Sequence, residues 1–198
     1  MINRKKFYDC IREELFNGRL SQLQVDGIEA ILNKWEKSGY TDIRWLAYML
    51  GTTYHETNKV MYPIEEYGKG RGKRYGTKTR YDGQKYFYPD KLYYGRGQIQ
   101  LTYYDNYLLM GKLLNLPLLE QPELALVPEI SADIMFEGMT RGISNRGDFT
   151  GVSLEKFFND NTEDWINARK VINGLDKAEV IASYGKRFLK CLQHGISI

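Results

Sequence analysis

A chain of 198 residues that is 42% hydrophobic and 27% charged is long enough to bury a core and too rich in apolar residues for wholesale disorder. No apolar run approaches the ~20 residues that cross a bilayer, and the charged start, MINRKKFYDC, has no apolar stretch behind it, so neither membrane insertion nor a signal peptide is expected. A net charge of +3 is too small to point to a polyanionic partner by itself.

Helical periodicity runs over residues 3–16 and again over 21–37, where Leu23, Ile28, Ile31, Leu32 and Trp35 share a face and Gly18 and Gly39 mark the ends. Cys10 sits in the first helix and its only companion, Cys191, near the other end of the chain; both are expected to be ordinary buried thiols. A third helix starts after Thr41 or Asp42, either of which can cap it, and runs through IRWLAYMLGTTYHET. Trp45, Met49, Thr52 and Glu56 fall on one strip of it, so a core-facing stripe ends on a carboxylic acid. Burial and the negative end of the helix both favour the protonated form, which a general acid needs. The plainer alternative is a surface Glu at a frayed helix end, paired with Lys59.

After Pro63 the periodicity fails, and Gly68, Gly70, Gly72, Gly76 and Gly83 mark a long irregular segment of the kind that is usually functional. From Lys69 to Lys91 it carries eight basic residues against Asp82 and Asp90. Glu65 and Glu66 stand at its rim. Glycoside hydrolysis generally needs a second carboxylate across the scissile bond. Because alternate residues of an extended segment face the same way, an inward Ile64 turns Glu66 toward a cleft, and Glu66 is preferred over Glu65. In YYGRGQIQLT, a strand pattern puts Gln98, Gln100 and Thr102 on one polar face suited to sugar hydroxyls and amides, while Gly95 and Gly97 let backbone approach a ligand. Tyrosines at 75, 81, 86, 88, 93, 94, 103, 104 and 107 offer flat faces for saccharide rings as well as core packing. Helical segments resume over 103–114, 130–141, 162–172 and 177–193, giving a mainly α chain with a small β element and no internal repeat.

His55 suggests a metal, but HETNK lacks the second His of a zinc hydrolase and only His194 remains, so His55 is expected to make a supporting hydrogen bond beside Glu56. GKGRGKRYG is not a phosphate-binding loop. No metal, cofactor or nucleic acid is expected.

The pieces YHET (54–57), YYGRGQIQLT (93–102), DNY (105–107), QPELALVP (121–128) and VING (171–174), in this order, resemble the family 19 glycoside hydrolases, which comprise plant-type chitinases and phage or prophage endolysins. SQLQVDGIEAILNKWE, RWLAYMLGTTYHET and MYPIEEYGKGRGKRYG look most like the endolysins. The resemblance implies an α+β lysozyme-like fold in which a helical body and a small β element border a sugar-binding cleft. It makes Glu56 the general acid and Glu66, or Glu65, the base that activates water with inversion. Thr102 then matches the hydroxyl that positions the water. His55, Tyr94, Arg96, Gln98, Gln100, Asn106 and Asn173 become candidate substrate contacts, with Arg96 organising the site through a carboxylate. HETGG becomes HETNK here, GRGPIQL has Gln98 for proline, and INGG has Leu175 for its last glycine; these departures bear on chitin as substrate more than on the mechanism.

The function expected is an endolysin hydrolysing β-1,4 bonds of peptidoglycan strands for host lysis. It is expected to be one catalytic domain over 1–198, with room for a small helical subdomain and no separate wall-binding module. The expected protein is a monomer held in the bacterial cytoplasm until a holin-type partner releases it to the wall. The rivals are a chitinase and a non-catalytic wall-binding protein of the same fold.

Overall fold

The computed structural model describes residues 1–140 and 149–196. Local signals explain the first three helices. Asn3 accepts the Lys6 N–H and starts α1 (Arg4–Leu15), which buries Phe7, Ile11 and Leu15 at helical spacing. Ser21 and Gln24 form a reciprocal capping box at the start of α2 (Gln22–Ser38), and Gly39, at φ 76°, ends it in the left-handed region. Asp42 caps α3 (Ile43–Glu56), whose residues 46–54 are all buried, so this helix runs through the core rather than along its surface.

Two residues of β1 (Ile64–Glu65) pair antiparallel with β2 (Arg96–Gly97), Ile64 opposite Gly97 and Glu65 opposite Arg96. This small sheet is followed by α4 (Tyr104–Leu114), which ends at Asn115 in the left-handed region, and by α5 (Pro128–Met139), with proline at its first position. A second two-stranded sheet pairs β3 (Phe158–Asn159) with β4 (Thr162–Glu163). The last helix, α6 (Ala178–Ile196), packs on α3 and α1. The core gathers Phe7, Ile11, Ile31, Leu46, Met49, Tyr107 and Phe188 from five of the six α-helices among the described residues.

Several expectations need correction. The 162–172 segment is not a helix: it holds β4 and then a 3-10 turn, Asn167–Val171, after Trp165 has anchored the chain between Tyr48 and Phe158. The strand expected through Thr102 stops at Gly97. Gln100 takes φ 55°, and the chain folds back so that Arg96 and Leu101 bond each other's backbone. The helix expected over 130–141 begins earlier, at Pro128, and Arg141 lies outside the described residues. Cys10 and Cys191 are not free thiols but a disulfide, because packing of α1 on α6 brings their Cα atoms to 5.4 Å. No described helix is long and apolar enough to cross a membrane.

Candidate active site

The end of α3 opens on a cleft of about 350 Å³. Into it the fold brings Glu56, then Gln100, Thr102 and Asn106 from the turn after β2 and the start of α4, and Arg169 and Asn173 from the 3-10 turn and the residues after it. Four residues from the expected set, distant in sequence, thus line one hollow with Glu56. A larger hollow of about 670 Å³ is lined by Leu108, Leu116 and Leu118, and Glu120 is its single carboxylate among the described residues. Glu56 is likewise the one carboxylate lining the smaller cleft among the described residues; Glu65 and Glu66 line neither hollow, and Glu66 adjoins the smaller one through its donors Tyr75 and Gly95.

Glu56 is not an isolated acid on an apolar stripe. Arg169, with a side chain only 5% exposed, places Nη2 2.9 Å from Glu56 Oε1 and donates its Nε–H to the Asp176 carbonyl at 3.2 Å. The pair fixes the carboxyl at the cleft wall. Reading the sequence missed Arg169; the available signal was a basic residue one helical turn before Asn173, whose N–H bonds the Arg169 carbonyl at 3.0 Å. Lys59, the alternative partner, lies instead over the Tyr54 ring.

The two later carboxylates have different attachments. Glu66 accepts from the Tyr75 hydroxyl at 2.8 Å through one oxygen and from the Gly95 N–H at 3.1 Å through the other. Burial first, then the Glu66 carboxylate, pushes the Tyr75 hydroxyl up to about 12, so it remains a donor at neutral pH. The Tyr75 ring meets Tyr103, a wall of the Glu56 cleft, edge-on at 5.1 Å. A Cβ on Gly95 would lie 2.7 Å from Gln100 Oε1 and 3.3 Å from Thr102 Oγ1, so a larger residue here would push against the two side chains at the cleft wall. Glu65 accepts from the Tyr94 hydroxyl at 2.5 Å and pairs with Lys69 at 2.9 Å. The Tyr94 hydrogen bond, with Lys69 second, holds its carboxyl below the usual range.

Inside the cleft, Thr102 Oγ donates to the Gln100 carbonyl at 2.7 Å, the Asn106 amide donates to the Thr102 carbonyl at 2.9 Å, and the Gln100 amide donates to the Ile64 and Gly97 carbonyls. Asn173 Oδ1 accepts from the Gly174 N–H. These bonds stiffen the turn that faces Glu56.

Four expected contacts are placed elsewhere. Gln98 is fully buried and donates to the Gly27 and Met61 carbonyls at 2.8 and 2.9 Å, tying α2 to the chain after α3, so it cannot meet a sugar. Tyr94 is buried, with its hydroxyl spent on Glu65. Arg96 forms no ion pair among the described residues. Its guanidinium stacks 3.6 Å from the Tyr94 ring centre and donates to the Leu92 and Tyr94 carbonyls and the Tyr107 hydroxyl, a framework role. His55 makes no side-chain hydrogen bond to a described residue and does not line the cleft. The described residues hold no cluster of three or more His, Cys, Asp or Glu side chains fit for a metal ion.

Comparison with known proteins places this geometry. No family model matches the chain. Two endochitinases of Arabidopsis thaliana are each 41% identical to it over 81 residues, 41% of this chain and 26% of theirs. The chain therefore aligns with about a quarter of the length of these relatives. The crystal structure of chitinase C from Streptomyces griseus superposes with a TM-score of 0.59 at 20% identity, over 97% of this chain and 76% of that one. A bacterial family 19 chitinase superposes at 0.53 and 16% identity, over 96% and 94%. The chain has the fold of a family 19 chitinase. The lysozyme-like helical body with a small sheet beside the cleft is the expected architecture.

Proposed function

We propose that the chain is an inverting glycosidase that cuts β-1,4 bonds between amino sugars of the bacterial wall, acting as an endolysin. The observation that carries this reading is the cleft itself, where a carboxyl at a helix end faces Thr102, Gln100, Asn106 and Asn173. Glu56 gives its proton to the glycosidic oxygen as the bond to the anomeric carbon breaks. Glu66 takes a proton from the water that attacks that carbon from the opposite face, and inverting enzymes separate the two carboxyls by roughly 6.5–9.5 Å to leave room for this water. Thr102 orients the water. Arg169 pairs with Glu56 at the cleft wall, so Glu56 donates only after it has taken up a proton and left that ion pair. Glu66 is favoured over Glu65 because its two donors, Tyr75 and Gly95, adjoin cleft walls, whereas Glu65 is committed to Tyr94 and Lys69.

The basic segment between Lys69 and Lys91 suits an anionic wall, an attraction that salt weakens. Storage in the bacterial cytoplasm and release by a holin-type partner complete the proposal, and the Cys10–Cys191 bond suits the oxidising exterior where the wall lies. A chitinase is the second reading, favoured by the name endochitinase carried by the relatives. Purified peptidoglycan and chitin oligomers, each incubated with the protein and with Glu56→Gln, decide between them. Mass spectrometry of the products then names the sugar at the new reducing end. Cleavage of chitin with no loss of wall turbidity overturns the endolysin; equal lysis by Glu56→Gln overturns the role of Glu56; binding without any cleavage leaves a wall-binding protein of this fold.

A further inference from the structure

Next to the Glu56 cleft, and sharing Tyr103 and Asn106 with it, lies a second hollow of about 520 Å³. Its other walls include Arg74, Tyr75, Arg80 and Tyr81 of the basic segment, Tyr86 and Tyr104 behind, and one carboxylate, Asp105 of α4. A strand threaded past Glu56 can therefore continue into it without leaving the surface. Tyr75 lines this hollow, holds Glu66 and meets the shared wall Tyr103 edge-on.

The charge in this hollow is unevenly spent. Arg80 pairs with Asp82 at 3.0 Å and faces Asp105 at 3.8 Å, with its guanidinium 4.8 Å from the Tyr104 ring centre. Its cation is answered within the protein. Arg74 is exposed and makes no ion pair among the described residues; its guanidinium carbon lies over the Tyr81 ring, 3.9 Å from the ring centre, and its N–H groups donate to no described residue. A neutral sugar is served by amides and hydroxyls, as in the Glu56 cleft. A planar cation held on an aromatic ring suits a carboxylate, which it can grip through two parallel hydrogen bonds.

We propose that this hollow is an acid-reading extension of the cleft, in which Arg74 binds a carboxylate carried by the amino-sugar strand. Resting on the glycosidase reading, it names Arg74 as the residue that separates an acidic wall strand from neutral chitin. Two carboxylates fit: the lactyl group of the sugar and those of the attached stem peptide.

The test uses soluble peptidoglycan strands in three forms: intact, stripped of stem peptides so that the lactyl carboxylate is free, and with every carboxyl converted to an amide. Binding is measured to the Glu56→Gln chain, so that strands are not cut, with and without Arg74→Gln. The charged forms, or one of them, should bind about tenfold more tightly than the amide form, as one charge-assisted contact implies. Arg74→Gln should erase that preference while the amide form binds as before. Lys85→Gln, an exposed charge outside the hollow, should preserve it. The charged form that Arg74 prefers names the source of the carboxylate. No preference in the Glu56→Gln chain, a preference that survives Arg74→Gln, or an equal loss with Lys85→Gln, which would mean diffuse attraction, each overturns the proposal. Failure of the glycosidase reading appears separately, as wild-type protein that cuts none of the strands, and leaves these binding ratios readable.

Discussion

Glu65 and Glu66 are adjacent, and extended backbone sends their side chains to opposite sides of one short strand end. On one side Tyr94 and Lys69 bind a carboxylate into the framework; on the other the carboxylate is held by Tyr75 and Gly95, which adjoin the cleft walls Tyr103, Gln100 and Thr102. Glu66→Gln should therefore lower kcat by about 10²–10⁴-fold, the range for a lost acid or base, while Glu65→Gln keeps most of the activity. Loss of activity in Glu65→Gln alone would reverse the assignment. What Glu65→Gln changes is stability, and the change depends on pH. Its carboxyl is held low in the fold by Tyr94 and then Lys69, so its contribution is complete above the unfolded value of about 4.3 and is lost as pH falls through the lower folded value. Thermal melts should show the gap between wild type and Glu65→Gln at its full size above about pH 5 and shrinking below about pH 4. Tyr75→Phe removes one of the two donors to Glu66 and leaves the ring on Tyr103. It should lower kcat more than it changes KM, with the fold intact; an unchanged kcat would show that Glu66 needs no such hold.

At the scale of elements, the closest packing lies between α3 and α6. A Cβ on Gly51 would fall 2.6 Å from the Gly185 nitrogen and 2.9 Å from its Cα, so the two helices touch backbone to backbone at this crossing. Helix propensity alone favours Gly51→Ala by about 1 kcal/mol. The clash is with backbone, which cannot swing aside, and overpacking of this kind costs about 1–3 kcal/mol, so the net change should be destabilising. A urea midpoint lower than wild type at unchanged slope is the expected result. This contact also separates what could be read in the sequence from what could not. The caps at Asn3, Ser21 and Asp42, the stop at Gly39 and the arrival of Glu56 at a helix end are local signals, and the helices follow them. Gln98 looked like a ligand because it alternates with Ile99. Its amide goes instead to carbonyls of Gly27 and Met61, 71 and 37 residues away, a pairing that exists only once α2 and the chain after α3 have met. Arg169 went unread for the same reason: its place one turn before Asn173 is visible in the sequence, but its meaning depends on Glu56, which is distant along the chain.

For the whole molecule the decisive long-range link is Cys10–Cys191, which fastens α1 to α6 across 181 residues of sequence. Free thiols are the expectation from sequence because a disulfide is unusual in a reducing compartment; helix packing makes these two cysteines, near opposite ends of the chain, neighbours. The link bears on the Glu56 cleft through the stability of the fold around it, because α6 also braces α3, the helix that ends at Glu56. Joining residues this distant restricts the unfolded chain, and such a bond is typically worth about 2–4 kcal/mol. At about 2–4 °C per kcal/mol for a chain of this size, Cys10→Ser and Cys191→Ser should each lower the melting temperature by roughly 5–15 °C, and dithiothreitol should do the same to the wild type while leaving either variant unaffected. Because the bond lies in neither hollow, the reduced protein below its melting temperature should keep the wild-type product pattern and the wild-type preference for charged over amidated strands. A wild type whose melting temperature ignores the reductant would mean that the two helices hold together without the bond. A changed product pattern would mean that the bond shapes the cleft as well as the stability of the fold around it.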